Sequence, residues 1–334
     1  MTEKREEIPI FFSVDDNYAP YLSVALDSLI RNANQRYHYH LIVLYQNLSR
    51  KNRRKLLQLA TDYAEITFVS MEGKLQMITD QMNSRLRCDY FTLTIYFRLL
   101  IPAMFPQYDK GIYLDSDIVV LGDIAELYEV ELGDNLIGAC TDWSIQEIPQ
   151  LLNYLENAIG APGTSYVNSG VLLMNLKKLR EVKMEERFLT LLEKYHFDTV
   201  APDQDYINAM CHGRIFYLPE CWDRMPQSMD AQGQPRRQKN IQRESGEVPP
   251  KLVHYNLFSK PWCYDNIEYE EYFWEYARQS CYYEVIREKK DAYSEADRMA
   301  DRDCLSLLLE RTAEIVRQPD NFREIFESGR EARL

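Results

Sequence analysis

Apolar residues fall into short continuous runs, separated by stretches in which they recur every three or four positions. The run Ile8 to Val14 reads as a buried strand. Tyr18 to Ile30 then carries Tyr21, Leu22, Ala25, Leu26 and Leu29 at helical spacing, and Tyr39 to Tyr45 is a second strand. Ser49 is placed to cap a helix over Arg50 to Ala60, and Ile66 to Val69 is a third strand. Such a βαβαβ opening predicts a parallel sheet covered by helices, with ligands at the carboxyl ends of its strands. Further strands are predicted at Leu136 to Cys140, Val171 to Met174, Ile215 to Leu218 and Leu252 to Tyr255, and helices over Glu147 to Ala158, Met184 to Tyr195 and Asp203 to Cys211. Asp223 to Pro250 is polar, with Gly233, Pro235 and Pro249-Pro250, and reads as a long lid or binding loop. After Trp262 the pattern is helical, with Leu305, Leu308, Leu309, Ala313, Ile315 and Val316 on one face and mixed charges opposite.

With 46% hydrophobic and 27% charged residues over 334 positions, the chain is globular and long enough for a substantial core. A net charge of −13 argues against nucleic acid or anionic membrane as a general partner. No apolar run reaches the roughly 18 residues that span a bilayer, and the charged start precedes only a short apolar run, so a cytoplasmic protein is expected. The seven cysteines (Cys88, Cys140, Cys211, Cys221, Cys263, Cys281, Cys304) form no CxxC pair and are odd in number, which suits a reducing compartment and mostly inert buried thiols.

Gly111 to Leu121 reads as an apolar strand interrupted by Asp115-Ser116-Asp117. Burying two unpaired carboxylates is costly. If the strand breaks into a turn, the two-residue spacing aims both at one divalent cation, for which oxygen ligands favour Mg²⁺, Mn²⁺ or Ca²⁺; a solvated turn is the competing reading. His254 follows Lys251-Leu252-Val253, and an imidazole added to two carboxylates shifts the preference toward Mn²⁺. Lys260, six residues on, suits a diphosphate. Asp15-Asp16-Asn17-Tyr18 opens the first helix, where a carboxylate, an amide and an aromatic ring either read and stack a nucleobase or cap the helix. The segment has no Gly-rich phosphate loop, so neither a dinucleotide nor a Walker-type ATP site is expected.

Four segments in order, Phe12 to Tyr18, Tyr113 to Asp117, Val167 to Asn175 with Asp203-Gln204-Asp205, and His254-Tyr255 through Lys260-Pro261-Trp262, together resemble glycosyltransferase family 8. That family includes bacterial lipopolysaccharide galactosyl- and glucosyltransferases and glycogenin, and the likeness spans Ile8 to Trp262. It implies an α/β fold of the GT-A nucleotide-diphospho-sugar transferase type: a single mixed, mainly parallel sheet with helices on both faces, plus a helical C-terminal tail. Residues 1–265 would form the catalytic domain and 266–334 the extension.

Carried over by position, the resemblance assigns Asp15 to the uracil edge, Asn17 to the ribose or phosphate region and Tyr18 to stacking on the base. Asp115, Asp117 and His254 become ligands of Mn²⁺ or Mg²⁺, Ser116 a nucleotide contact, and Lys260 the diphosphate contact. Arg98, Asn168 and Asp203 would hold donor-sugar hydroxyls, with Gln204 beneath the anomeric carbon. The implied reaction is retaining transfer of glucose or galactose from a UDP-sugar to a glycan, glycolipid or glycoprotein. No carboxylate nucleophile is evident, and an amide is a poor one. A front-face mechanism is therefore expected, in which the leaving phosphate helps deprotonate the acceptor and Gln204 stabilises an oxocarbenium-like species.

Two departures stand out: Leu257 where many relatives have Gly, which lets backbone approach the pyrophosphate, and Cys263 where His is often seen. The near charge balance of the tail favours a packing or homo-oligomer element over a membrane anchor. Its aromatics leave peripheral association at the inner membrane face open, although Glu268, Glu270, Glu271 and Glu275 weaken attraction to anionic lipid. Three other readings compete. The Asp-Ser-Asp strand also fits a haloacid-dehalogenase-like phosphatase. A sugar-nucleotide binder without turnover would keep the same residues. The 24 Tyr would allow glycogenin-like self-glucosylation.

Overall fold

The computed structural model describes residues 5–73, 93–145, 148–226 and 248–334. In chain order the strands are β1 (Glu7–Val14), β2 (His38–Tyr45), β3 (Ala64–Ser70), β4 (Gly111–Leu114), β5 (Ile118–Val120), β6 (Ile137–Ala139), β7 (Val171–Met174), β8 (Ile215–Tyr217) and β9 (Leu252–His254). The chain divides into two compact units. One comprises Met1–Ser70, Ile112–Glu131 and Pro219–Arg302, and the other Met71–Gly111, Leu132–Leu218 and Asp303–Leu334.

In the first unit β3, β2, β1 and β4 lie side by side, all parallel, as the βα alternation predicts. Five consecutive residues of β1, Ile8 to Phe12, are buried, which is why its sequence is continuously apolar rather than alternating. Helix Ala19–Asn32 begins with Pro20 in its first turn, where a missing N–H costs nothing, and buries Leu22, Ala25, Leu26 and Leu29 completely. The interrupted run Gly111 to Leu121 resolves into two strands with different partners. β4 pairs with β1, while β5 runs antiparallel to β9 in register Ile118↔His254. Asp115-Ser116-Asp117 is the corner between them.

In the second unit β7, β6 and β8 form the order β7-β6-β8, with β6–β7 antiparallel and β6–β8 parallel. Helix Pro202–Cys211 is buried at every position, so no polar stripe marks it.

Element positions agree with the sequence-based expectations, with physical reasons for the differences. The helix from Arg50 stops at Leu57 rather than Ala60. The helix predicted over Glu147 to Ala158 is Pro149–Tyr154 followed by a wider turn, Leu155–Ile159, that ends on Gly160 at φ +74°. Glu147, Cys88 and residues 227–247 of the long polar segment lie outside the described residues. Helix Phe97–Met104, with Pro102 inside, was not anticipated, because proline normally ends a helix.

Beyond residue 266 the chain forms helices Glu270–Ala277, Tyr283–Ala292, Glu295–Val316 and Phe322–Glu327. Within the first unit, Tyr276 accepts from Asn32 Nδ2 at 2.8 Å and Ser280 shares a hydrogen bond with Ser23 at 2.7 Å. In the second, Phe322 stacks on Phe197 at 3.9 Å, and the Leu334 N–H donates to the Met210 carbonyl. Cys140, Cys211, Cys221, Cys263 and Cys304 are buried free thiols and Cys281 is exposed; burial pushes Cys211 up to about 12, which keeps it unreactive. Among the described residues no helix is long and apolar enough to cross a membrane.

Candidate active site

Two polar clusters hold the predicted site residues, one in each unit. The first is assembled by the β5–β9 register, which sets His254 beside the Asp115–Asp117 corner. His254 Nε2 lies 3.4 Å from Asp117 Oδ1 and 3.8 Å from Asp115 Oδ2. Its Nδ1 is 3.0 Å from Asp223 Oδ1, a carboxylate with a fully buried side chain, and this contact turns Nε2 toward the other two acids. Tyr113 donates its hydroxyl to Asp115 Oδ1 at 2.9 Å, and Ser116 Oγ donates to the Ser13 carbonyl at 2.9 Å. Lys260, buried, forms an ion pair with Asp117 Oδ2 and lies 5.6 Å from the centre of the Trp262 ring.

The electrostatics follow from this crowding. Burial opposes charge on Asp117, but the Lys260 ammonium and then His254 hold its carboxyl well below the usual range. Burial likewise opposes the imidazolium, yet the Asp223 charge and hydrogen bonds to Asp117 and Asp223 outweigh it and raise His254 to about 10. One ligand atom from each of Asp115, Asp117 and His254 lies within 4.8 Å of the others. Two carboxylates with an imidazole whose second nitrogen is held by an acid suit Mn²⁺ or Mg²⁺.

At the end of β1, Asp15 Oδ1 accepts the backbone N–H groups of Asn17 and Tyr18 at 2.9 and 3.0 Å, so it does cap the turn into the first helix. Asp16 Oδ1 accepts from Ser49 N and Asn52 Nδ2. Asn17 is exposed, and Tyr18 is half-buried, edge-on to Tyr21, which stacks on Trp262 at 4.0 Å. Leu257 has φ +47°, so the backbone keeps the left-handed conformation that glycine favours despite the side chain. Leu257→Gly is therefore expected to raise stability by about 0.5 kcal/mol, the relief of left-handed strain less the entropy of glycine in the unfolded chain. Urea titration measures it.

The second cluster gathers Arg98, Asn168, Asp203 and Gln204. Arg98 Nε is 3.1 Å from Asp203 Oδ2, and its Nη1 donates to the carbonyl and hydroxyl of Ser169. Ser169 Oγ donates to Asp203 Oδ2 at 2.8 Å. Gln204 is held at both ends: Nε2 donates to Asp142 Oδ2 at 2.9 Å, and Oε1 accepts the Ser169 N–H at 3.0 Å. Asn168 Nδ2 donates to the same Asp142 oxygen at 3.1 Å. Behind them Asp205, fully buried, accepts from the hydroxyls of Tyr154 and Tyr166 and the N–H groups of Val200 and Ala201, pinning the first turn of helix Pro202–Cys211. Burial outweighs these donors and raises it to about 6.

Sequence reasoning assigned no role to Asp142, Ser169 and Asp223. Asp142 lies three residues past the end of β6, and the carboxyl end of a strand was the available signal. Asp223 sat at the edge of a polar stretch that offered none.

The parallel strands ending on a carboxylate corner define a GT-A glycosyltransferase fold, borne out by solved structures. The galactosyltransferase LgtC, in complex with donor and acceptor sugar analogues, superposes with TM-score 0.62 at 27% identity, covering 82% of this chain and 96% of that one. The bifunctional glycosyltransferase WbbM reaches TM-score 0.68 at 23% identity, and this chain spans about half (52%) of it, a likeness of fold alone. The profile of Glycosyl transferase family 8 matches residues 9–266, and the chain belongs to that family. Among curated relatives, a Haemophilus influenzae protein described as a glycosyltransferase is 28% identical over 76% of this chain and 72% of its own length. The lipopolysaccharide 1,2-glucosyltransferase of Escherichia coli is 25% identical over 78% and 74%.

Proposed function

We propose that this glycosyltransferase is cation-dependent and retaining, and moves glucose or galactose from a UDP-sugar to a hydroxyl of a saccharide, glycolipid or glycoprotein. The observation that carries the reading is the triad Asp115, Asp117 and His254 with Lys260 against Asp117. The triad would hold Mn²⁺ or Mg²⁺, which when bound neutralises charge on a leaving diphosphate. Lys260 adds a second positive charge that needs no proton transfer, and burial strengthens it.

Asp15 holds its carboxylate rigidly against the turn it caps, a preformed acceptor for the N3–H of uracil, with Tyr18 to stack on the ring and Asn17 and Ser116 as polar contacts. Arg98 and Asp203 are locked through Ser169, and Asn168 joins them through Asp142 and Gln204, which suits them to hold sugar hydroxyls in one orientation. Gln204, clamped at both ends of its amide, serves as a fixed dipole beside an oxocarbenium-like centre rather than as a nucleophile. The departing phosphate oxygen takes the acceptor proton on the same face. Residues 1–265 carry this chemistry and 266–334 form a helical extension, in a cytoplasmic protein that works on cell-surface glycan precursors. The names of the relatives support both glucose and galactose as donors.

The test is UDP release from a panel of UDP-sugars with Mn²⁺, Mg²⁺ or EDTA. Release that favours one sugar and stops in EDTA is expected. Release unaffected by EDTA overturns cation dependence, and absence of both release and UDP binding overturns the donor class.

A further inference from the structure

Helix Tyr283–Ala292 lies beyond the family match at 9–266, yet within the first unit it is tied to both loops that carry the nucleotide-side residues. Lys290 donates to the carbonyls of Pro261 and Tyr264 at 3.0 and 3.3 Å and pairs with Asp265 at 2.9 Å, gripping the segment that holds Lys260 and Trp262. Tyr282, just before the helix, donates to Asn52 Oδ1 at 3.0 Å, and Asn52 in turn holds Asp16. Lys289 points to the other loop. Its Nζ donates to the Asn17 carbonyl at 3.1 Å and lies 5.4 Å from the centre of the Tyr21 ring.

An ammonium has three N–H donors, and the Asn17 carbonyl takes one. Burial loosens the proton of Lys289, while the Asp15 carboxylate favours its charged form, so the two groups act on each other across the turn that opens the first helix. The turn thus carries a fixed carboxylate acceptor at Asp15 and, on the Asn17 carbonyl two residues along, an ammonium donor from Lys289. Uracil presents the complementary pair, the N3–H donor flanked by carbonyl acceptors. Cytosine presents the reverse, an acceptor at N3 beside an amino donor. With the ribose anchored, the second base would leave both protein groups facing like partners.

We propose that Lys289, from the C-terminal extension, is a specificity residue that donates to the O4 carbonyl of uracil beside Asp15 and so selects uridine over cytidine nucleotides. The assignment rests on the UDP-sugar reading above and adds a residue outside the family's matched region. Lys290 has a different part, positioning the Lys260 loop without touching the base.

The experiment is titration of the full chain with UDP and CDP in Mn²⁺, for wild type, Lys289→Met, Lys289→Arg and Lys290→Met, with thermal melting to verify folding. Lys289→Met is expected to lose roughly tenfold in UDP affinity, about one charge-assisted hydrogen bond, with CDP unchanged. The UDP-to-CDP preference thus falls by the same factor, while Lys289→Arg, which keeps charge and donors, retains it. Lys290→Met weakens both nucleotides alike. Equal loss of UDP and CDP in Lys289→Met, or no loss, overturns the proposal and leaves the UDP-sugar reading standing. Wild-type protein that binds neither nucleotide overturns that reading and this assignment with it.

Discussion

Asp117→Asn is expected to reduce UDP release from the preferred donor by on the order of a thousandfold while leaving the fold intact. The substitution keeps the shape of the side chain but removes the negative charge that faces Lys260 through Oδ2 and His254 through Oδ1. A triad reduced to one carboxylate and one imidazole binds a hard cation poorly. Without Asp117 the lysine also loses the partner that fixes its head group. The wild-type site has a pH signature as well. His254, raised to about 10, is charged at neutral pH and must shed its proton before Nε2 can bind a cation. Cation affinity therefore climbs as pH rises toward that value, and binding near pH 7.5 releases protons. Calorimetry in two buffers of different ionisation enthalpy measures the release, and absence of proton release would contradict the assigned ligand set.

The second large effect is on stability. Asp205→Ala should destabilise the chain by about 3 kcal/mol at pH 7.5, because it removes the acceptor of two buried tyrosine hydroxyls and of the half-buried Ala201 N–H and leaves the Val200 N–H only the Tyr154 oxygen. Its pH dependence has a definite sign. The folded-state value, about 6, lies above the ordinary 3.8, so the folded chain holds the proton more tightly than the unfolded chain does. The stabilisation from this group is complete below about pH 3.8 and is lost as pH rises through 6. The wild-type margin over Asp205→Ala should thus be larger at pH 5 than at pH 8, by about 1.5 kcal/mol. Urea unfolding of both proteins at the two pH values decides it; a margin that grows with pH would show that the carboxylate is held ionised instead.

How much was legible in the sequence depended on whether the signal was local. β1, β2, β7 and helix Met184–Tyr195 were readable because burial on one or both faces writes a period directly into the chain. The Asp115–Asp117 corner was readable because carboxylates interrupt an apolar run. Helix Pro202–Cys211 was found despite lacking an amphipathic stripe, whereas helix Phe97–Met104 was hidden by Pro102. Asp142 and Asp223 were not singled out, since each gains its place from partners 26 and 31 residues away, Asn168 and His254. The GT-A fold and the family followed from the four motifs. The packing of the extension by Phe322, Tyr276 and Lys289 rests on partners distant in sequence, Phe197, Asn32 and Asn17, which no local pattern marks.

The register between β5 and β9 has a consequence for how the protein comes into being. The two aspartates of the triad are synthesised long before the histidine, and only the antiparallel pairing Ile118↔His254 brings them together. A ribosome-bound chain that has emerged through β8 therefore owns a strand and a carboxylate corner but no complete cation site. Such non-local closure is slow relative to helix formation nearby. The nascent enzyme cannot bring Asp115, Asp117 and His254 together, and with them the proposed cation site, until nearly the whole family-matched region has been made and docked.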